Sequence, residues 1–189
     1  MVILVAGLVI FLGVHSISIV NQPWRDRMVE KIGEPAWQGL YSLLAIAGLA
    51  LVIWGYGLAR QEPVLLYTPP EWLRHLAMLL MVFAFPLFLA AYLPGRIQST
   101  TRHPMLAATK LWAFAHLLVN GTLADVLLFG AFLAWAVADR ISVKRREPRP
   151  VPGAPPSKLN DAIAVVAGLA IYAAFVLGLH GWLFGVSLI

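Results

Sequence analysis

The sequence predicts an all-α fold, a polytopic integral membrane bundle of about six transmembrane helices. Three observations lead there. Five apolar stretches are long enough to cross a bilayer, and a further, shorter one is set off by a turn at Asn120-Gly121. Hydrophobic residues fill 60% of the 189 positions and charged ones only 12%, more apolar surface than a water-soluble chain of this size needs. The charges, net +5, gather between the stretches rather than within them. The whole chain, 1–189, therefore reads as a single transmembrane domain. Its longest polar stretch, a basic, Pro-rich linker over residues 140–160, is too short to bury a core of its own.

A span takes roughly 20 residues at about 1.5 Å rise each, which places helices near 2–20, 37–59, 72–92, 104–119, 123–139 and 161–184. The first lacks a basic leader and a small-residue cleavage site, so it reads as a retained span rather than a signal peptide. Asn21-Gln22-Pro23 is expected to end it. Thr68-Pro69-Pro70-Glu71 precedes the third, where Thr68 or Glu71 is available to satisfy free amides. Pro94-Gly95 closes that helix, and Pro86 inside it should kink it. The fourth is short and Asn120-Gly121 turns into the fifth, so these two are expected to form a tight antiparallel hairpin. Residues 149–156, rich in proline, read as a stiff extended linker before the sixth. Helix contacts are expected at the small residues Gly48, Gly55, Ala107, Ala108 and Gly168.

Orientation follows from the loops. Arg25, Arg27 and Lys31 follow the first span, Arg96 and Arg102 the third, and Arg140, Lys144, Arg145, Arg146, Arg149 and Lys158 the fifth. All lie on one side, which the positive-inside rule makes cytoplasmic. Both termini are then outside, periplasmic in a bacterium with two membranes, and the chain sits in the inner membrane with the lipid bilayer as its first partner.

Several chemistries are excluded. The chain has no cysteine, hence no disulfide, zinc–thiolate site, iron–sulfur cluster or cysteine nucleophile. No basic–aromatic nucleic-acid motif occurs. The membrane interior offers no paired carboxylates for acid–base work, and no Ser/His/Asp array or phosphate-cradling loop is visible. A proton pump or ion carrier would want buried acids.

The ionisable residues inside or beside spans are the candidates for function, because such groups are costly in a bilayer. Met105, Thr109, Trp112, His116 and Asn120 recur at helical spacing on one face of the fourth helix. His116 reads equally as an axial haem or metal ligand and as an interhelical hydrogen-bonder, with Asn120 one possible partner. His103 precedes Pro104 at a helix start; it reads as an interfacial anchor, or with Arg102 as a site for an anionic group. Lys110 lies about 9 Å inside, where it either snorkels outward or pairs with an exogenous anion such as a haem propionate. His15, beside Gly13, Ser16 and Ser18, suits a close helix contact and a cofactor ligand alike. His75 and His180 read as interfacial anchors. No catalytic residue can be named from these patterns.

Taken together, Gly13-Val14-His15-Ser16, Arg102-His103-Pro104, Trp112-Ala113-Phe114-Ala115-His116-Leu117, Asn120-Gly121 and Leu179-His180-Gly181-Trp182-Leu183-Phe184-Gly185-Val186 resemble the NnrU family over essentially the whole chain. That family is named for a link to nitric oxide reductase expression in denitrifying bacteria. A similar plant and cyanobacterial protein, zeta-carotene isomerase, uses haem b held by histidines in the membrane. The resemblance implies a haem b protein, redox or isomerase-like, acting on an apolar small molecule or beside a respiratory membrane complex. It implies His15 and His116 as ligands to the haem iron, with His103 a further candidate and Arg102 and Lys110 near the propionates.

Two nitrogens on one iron must approach to about 4 Å. On the expected spans His15 lies near the cytoplasmic end of its helix and His116 near the outer end of its own, so His15 with His103 is the geometric rival pair. The Arg-His-Pro motif is also similar to one in membrane isoprenylcysteine-type methyltransferases, which use S-adenosylmethionine. Those add a glutamate pair and a glycine–tyrosine segment downstream; here Arg145-Arg146-Glu147-Pro148-Arg149-Pro150 stands in that region, and that half of the site is missing. A non-enzymatic assembly or regulatory factor for a respiratory complex is the remaining class.

Overall fold

The computed structural model describes residues 1–146 and 152–189. Residues 147–151 lie outside the described set, and with them the core of the expected linker, Arg149, and most of the segment compared with the methyltransferases. The described chain is helical: α1 Val2–Ile32, α2 Glu34–Ala59, α3 Leu73–Ala90, α4 Arg96–Thr101, α5 Pro104–Val119, α6 Leu123–Ser142, α7 Asn160–Ala174 and α8 His180–Phe184, the last two joined by a π-helical turn Phe175–Leu179. Among the described residues the nearest thing to a sheet is a single bridge, Leu65 to Thr122. Four helical stretches are long and apolar enough to cross a membrane: Val2–Ile32, Glu34–Ala59, Leu73–Ala90 and Asn160–Phe184. The helix α5 has 16 residues. The 20-residue α6 carries Asp125 near one end and Asp139 and Arg140 near the other.

The chain forms two compact units. One comprises residues 1–69 and 120–146, with α1, α2 and α6; the other comprises residues 70–119 and 152–189, with α3, α4, α5, α7 and α8.

In the first unit α1 and α2 pack antiparallel along a glycine seam. A Cβ on Gly7 would lie 2.5 Å from the Val52 nitrogen, one on Gly48 would lie 2.7 Å from the Phe11 nitrogen, and one on Gly55 would run into the Leu4 backbone. Backbone meets backbone, which only small residues permit. Gly48 and Gly55 were expected there; Gly7 completes the seam. The two helices join through Gly33 alone, whose φ of 84° is a left-handed value that glycine takes without penalty.

The expected end of the first helix at Asn21 is instead a bend. Asn21 leaves the helix (φ −152°, ψ 77°), and its side-chain oxygen accepts the Trp24 N–H at 2.9 Å. It thus caps a second helical limb, in whose first turn Pro23 sacrifices no hydrogen bond. That limb is polar, with Arg25, Asp26, Arg27, Glu30 and Lys31.

The helix α6 packs on α1 and begins with a capping box. Asp125 N–H donates to Thr122 Oγ1, and the Asp125 carboxylate takes the Thr122 N–H at 2.9 Å. The Tyr56 hydroxyl donates to the same carboxylate at 2.5 Å, and Asp125 is buried, 5% exposed. The turn before it is clasped by the α2–α3 connection: Leu66 and Tyr67 N–H both donate to the Gly121 carbonyl, and Tyr67 Oη donates to the Asn120 carbonyl at 2.7 Å. Any side chain on Gly121 would run into the Tyr67 carbonyl. Burial and the nearby Asp125 carboxylate hold the Tyr67 phenol above its ordinary pKa.

In the second unit α3 packs against α5 and α7. α5 thus packs on α3 inside the second unit, as α6 packs on α1 inside the first. Gly168 of α7 faces Pro86 of α3, where a Cβ would come 2.5 Å from the proline nitrogen. The core is largely alanine: Ala77, Ala84, Ala108, Ala113, Ala115 and Ala164 are all buried. Neither Thr68 nor Glu71 caps α3 with its side chain; successive backbone turns from Pro70, Glu71 and Trp72 carbonyls open it.

The helix α4 was not expected from the sequence. It is held from a distance, since the Asp161 carboxylate accepts the Arg96 and Ile97 amides at 2.8 and 3.0 Å. Asn160 ties the same region by donating to the Pro94 and Pro155 carbonyls. Large apolar residues on the outer faces, such as Val9, Ile46 and Val166, are 67–68% exposed, an arrangement that suits lipid rather than water.

Candidate functional site

Every histidine proposed as a ligand sits on a helix or at its start, and two are prepared in the same way. In α1 the His15 Nδ1 lies 2.6 Å from the Phe11 carbonyl, one turn back. In α5 the His116 Nδ1 lies 2.8 Å from the Trp112 carbonyl, again one turn back. A carbonyl oxygen only accepts, so Nδ1 must carry the proton in both rings and Nε2 holds the lone pair. That tautomer is the one a metal-ligating imidazole needs, with its other nitrogen fixed by a carbonyl. His116 thus has a hydrogen bond within its own helix, to Trp112.

His15 is half-buried in an aromatic cluster drawn from three helices of one unit. Its ring centroid lies 4.3 Å from Phe11, 5.3 Å from Tyr41 of α2 and 5.9 Å from Trp135 of α6, the last two edge-on. Phe132 extends the cluster from α6. The Trp135 Nε1 is buried with no hydrogen-bond acceptor among the described residues, a costly state in a membrane interior. Ser16 is occupied, its hydroxyl bonded to the Leu12 carbonyl at 2.6 Å, so it is no nucleophile paired with His15.

The remaining candidates divide between the units. Trp112 stacks at a tilt on His116, with centroids 5.4 Å apart. Lys110 is half-buried on α5 with no ion pair among the described residues. Arg102 ends α4 with φ 60° and ψ −37°, a left-handed conformation uncommon for a residue with a side chain. Its side chain is exposed. His103 is half-buried, and its carbonyl accepts the Ala107 amide, so it opens α5 as the Arg-His-Pro pattern implied. Asn120 lies beyond the end of α5 and belongs to the first unit together with His15, not to the unit of Trp112 and His116. His75 is exposed and His180 bonds the Val186 carbonyl at 2.8 Å, consistent with anchoring ends rather than a centre. Among the described residues no three His, Cys, Asp or Glu side chains cluster as a metal site. Among the described residues, His15 and His116 are the two candidate ligands whose Nδ1 is fixed by a carbonyl of their own helix.

Two residues escaped sequence reading. Trp135 was unremarked, since an indole within an apolar run looks like any other core or lipid-facing residue. Asp125 is the other, although Thr122-x-x-Asp125 before an apolar run is a capping-box pattern.

The fold and these groups define an all-helical membrane-type protein with helix-borne histidines. The NnrU protein family matches residues 3–188, nearly the full length, and the chain belongs to it. No curated protein and no solved structure matches it.

Proposed function

We propose that this NnrU-family protein is a haem b protein of the bacterial inner membrane. It crosses the membrane six times as one transmembrane domain, 1–189, with both termini outside. α5 and α6 join the four longer spans, α6 carrying its charged residues only near its ends. The protein acts in nitrogen-oxide metabolism as a redox or isomerase-like catalyst on an apolar small molecule, or in company with a respiratory complex.

One observation carries the haem reading: His15 and His116 both direct Nδ1 at a carbonyl one turn back, which fixes the orientation of each imidazole on its helix. The residues fit the group in a second respect. The unsatisfied Trp135 N–H beside His15 lacks an acceptor that a bound group could supply. His15 and His116 would each be a candidate to hold the haem iron, with His103 the rival to His116. Arg102 and Lys110 would meet the propionates or a head group, and Trp112 and Asn120 are further candidates for the cofactor site. Bound haem would supply Lewis acidity or one-electron transfer. The chain's own residues fix imidazole orientation and exclude water.

The test is an absorption spectrum of detergent-purified protein, oxidised and dithionite-reduced, after expression with haem supplied. The expected result is a Soret band that shifts on reduction and weakens in His15→Ala and His116→Ala. A featureless spectrum under full haem supply overturns the reading. S-adenosylmethionine binding and co-purification with a respiratory complex then become the assays for the two remaining classes.

A further inference from the structure

A second site lies in the first unit, beginning one helical turn beyond His15 at Ser18 and Ile19. The polar limb of α1 and the end of α6 leave between them a cleft of about 820 Å³. Sites for small molecules span about 300–1,000 Å³, so the cleft has room for a lipid headgroup with part of its glycerol. Its floor is apolar, from Ile19, Pro23, Ala138 and Ile141. Its rim carries Arg27, Glu30, Arg145 and Arg146.

Depth is set by the sequence of the two helices. Up to Val20, α1 is free of charge, and from Arg25 on it is crowded with it; after Asp125 in its first turn, α6 carries no charge until Asp139. The cleft straddles the switch on both helices, which is where the headgroup layer of a bilayer meets its hydrocarbon.

The rim charges are already partly spent. Asp26 pairs with Arg25 at 3.2 Å, and Arg146 pairs with Asp139. Arg27, Arg145 and Glu30 enter no ion pair among the described residues. Arg146 also holds a buried Nε with no acceptor. Two free guanidiniums and an orphaned N–H call for phosphate oxygens, which arginine forks bind well. A free carboxylate on the same rim opposes a purely anionic ligand and calls for a cation beside the phosphate.

We propose that this cleft binds the headgroup of an aminophospholipid. Arg27, Arg145 and the Arg146 Nε–H take the phosphate, Glu30 takes the primary ammonium, and the acyl chains leave over Ile19 and Ile141. The site stands on geometry independent of haem.

The experiment is native mass spectrometry of the full-length chain in detergent, titrated separately with dilauroyl phosphatidylethanolamine, phosphatidylcholine and phosphatidylglycerol. Phosphatidylethanolamine should bind roughly tenfold more tightly than phosphatidylcholine, whose trimethylammonium cannot donate a hydrogen bond to Glu30. R27A/R145A should weaken phosphatidylethanolamine by roughly tenfold or more. E30Q should remove its preference over phosphatidylcholine. Glu30 is exposed, so E30Q decides the matter even if R27A/R145A folds poorly. Equal binding of the three headgroups, unchanged by any variant, means annular lipid only and overturns the proposal. Preference for phosphatidylglycerol, indifferent to E30Q, overturns it as well, since the cleft would then read phosphate alone.

Discussion

Asp125→Ala tests whether the first unit depends on its buried carboxylate. Asp125 is 5% exposed and receives three donors: Tyr56 Oη at 2.5 Å, Thr122 N–H at 2.9 Å and Thr122 Oγ1 at 2.6 Å. Removing it strands the Tyr56 hydroxyl, at about 1–3 kcal/mol for a buried donor without a partner. It also breaks the capping box, at about 1 kcal/mol. The combined loss is about 3 kcal/mol. At roughly 2–4 °C per kcal/mol for a chain of this size, the thermal midpoint in detergent should fall by roughly 6–12 °C. Tyr56→Phe removes only the hydroxyl, and the carboxylate keeps its two Thr122 donors, so it should cost about 1 kcal/mol. The pair should couple: in the double variant no orphaned hydroxyl remains, and it should be less destabilised than the sum by about 1 kcal/mol. Circular dichroism melts of the four proteins measure this. A midpoint for Asp125→Ala within about 1 °C of the parent, or strict additivity with Tyr56→Phe, refutes the network.

Gly55→Val should destabilise by about 1–3 kcal/mol because its Cβ meets the Leu4 backbone, which cannot yield, whereas Gly57→Ala, with open space around it, should be neutral or stabilising in the same melts. Asp161→Ala should speed hydrogen exchange at the Arg96 and Ile97 amides while leaving the α1–α2 seam unchanged; unaltered exchange there would refute the long-range cap. Arg102→Gly should raise stability by about 1 kcal/mol by releasing the left-handed backbone, and should weaken haem binding if Arg102 meets a propionate. Tyr67 is held neutral in the fold more firmly than in the unfolded chain, so its contribution is intact below pH 10 and fades as pH rises past 10 towards its raised folded value. A 295 nm titration should therefore lose a late-titrating phenol in Tyr67→Phe.

The apolar runs placed the helices because lipid-facing segments must be apolar along their whole length: the expected 104–119 coincides with α5, 37–59 shares its end with α2, 123–139 shares its start with α6, and 72–92 brackets α3. Where the sequence misled, the missing information was non-local or directional. Pro23 read as a stop because a proline ends the helix before it; it equally starts the one after, and Asn21 supplies the cap. Nothing in Arg96–Thr101 marks a helix without Asp161, which reaches it from across the second unit. The alanine-lined face of α5 that meets α3, and the fastening of the capped start of α6 by Tyr56 and the loop around Tyr67, likewise join residues far apart in sequence. At the candidate site, His15 and His116 stood out as ionisable groups in apolar helices. Their fixed tautomer follows from helix geometry, and the aromatic ring around His15 comes from Tyr41 and Trp135, distant residues that no local pattern connects to it.

The most direct test of the central claim is the haem content per chain, by pyridine haemochrome, of the purified parent and of His15→Ala, His116→Ala, His103→Ala and His75→Ala. The account predicts about one haem b per chain in the parent, a severe loss in His15→Ala and His116→Ala, and no loss in the exposed His75→Ala. Haem content that is negligible in the parent, or that survives both the His15 and His116 substitutions, contradicts it.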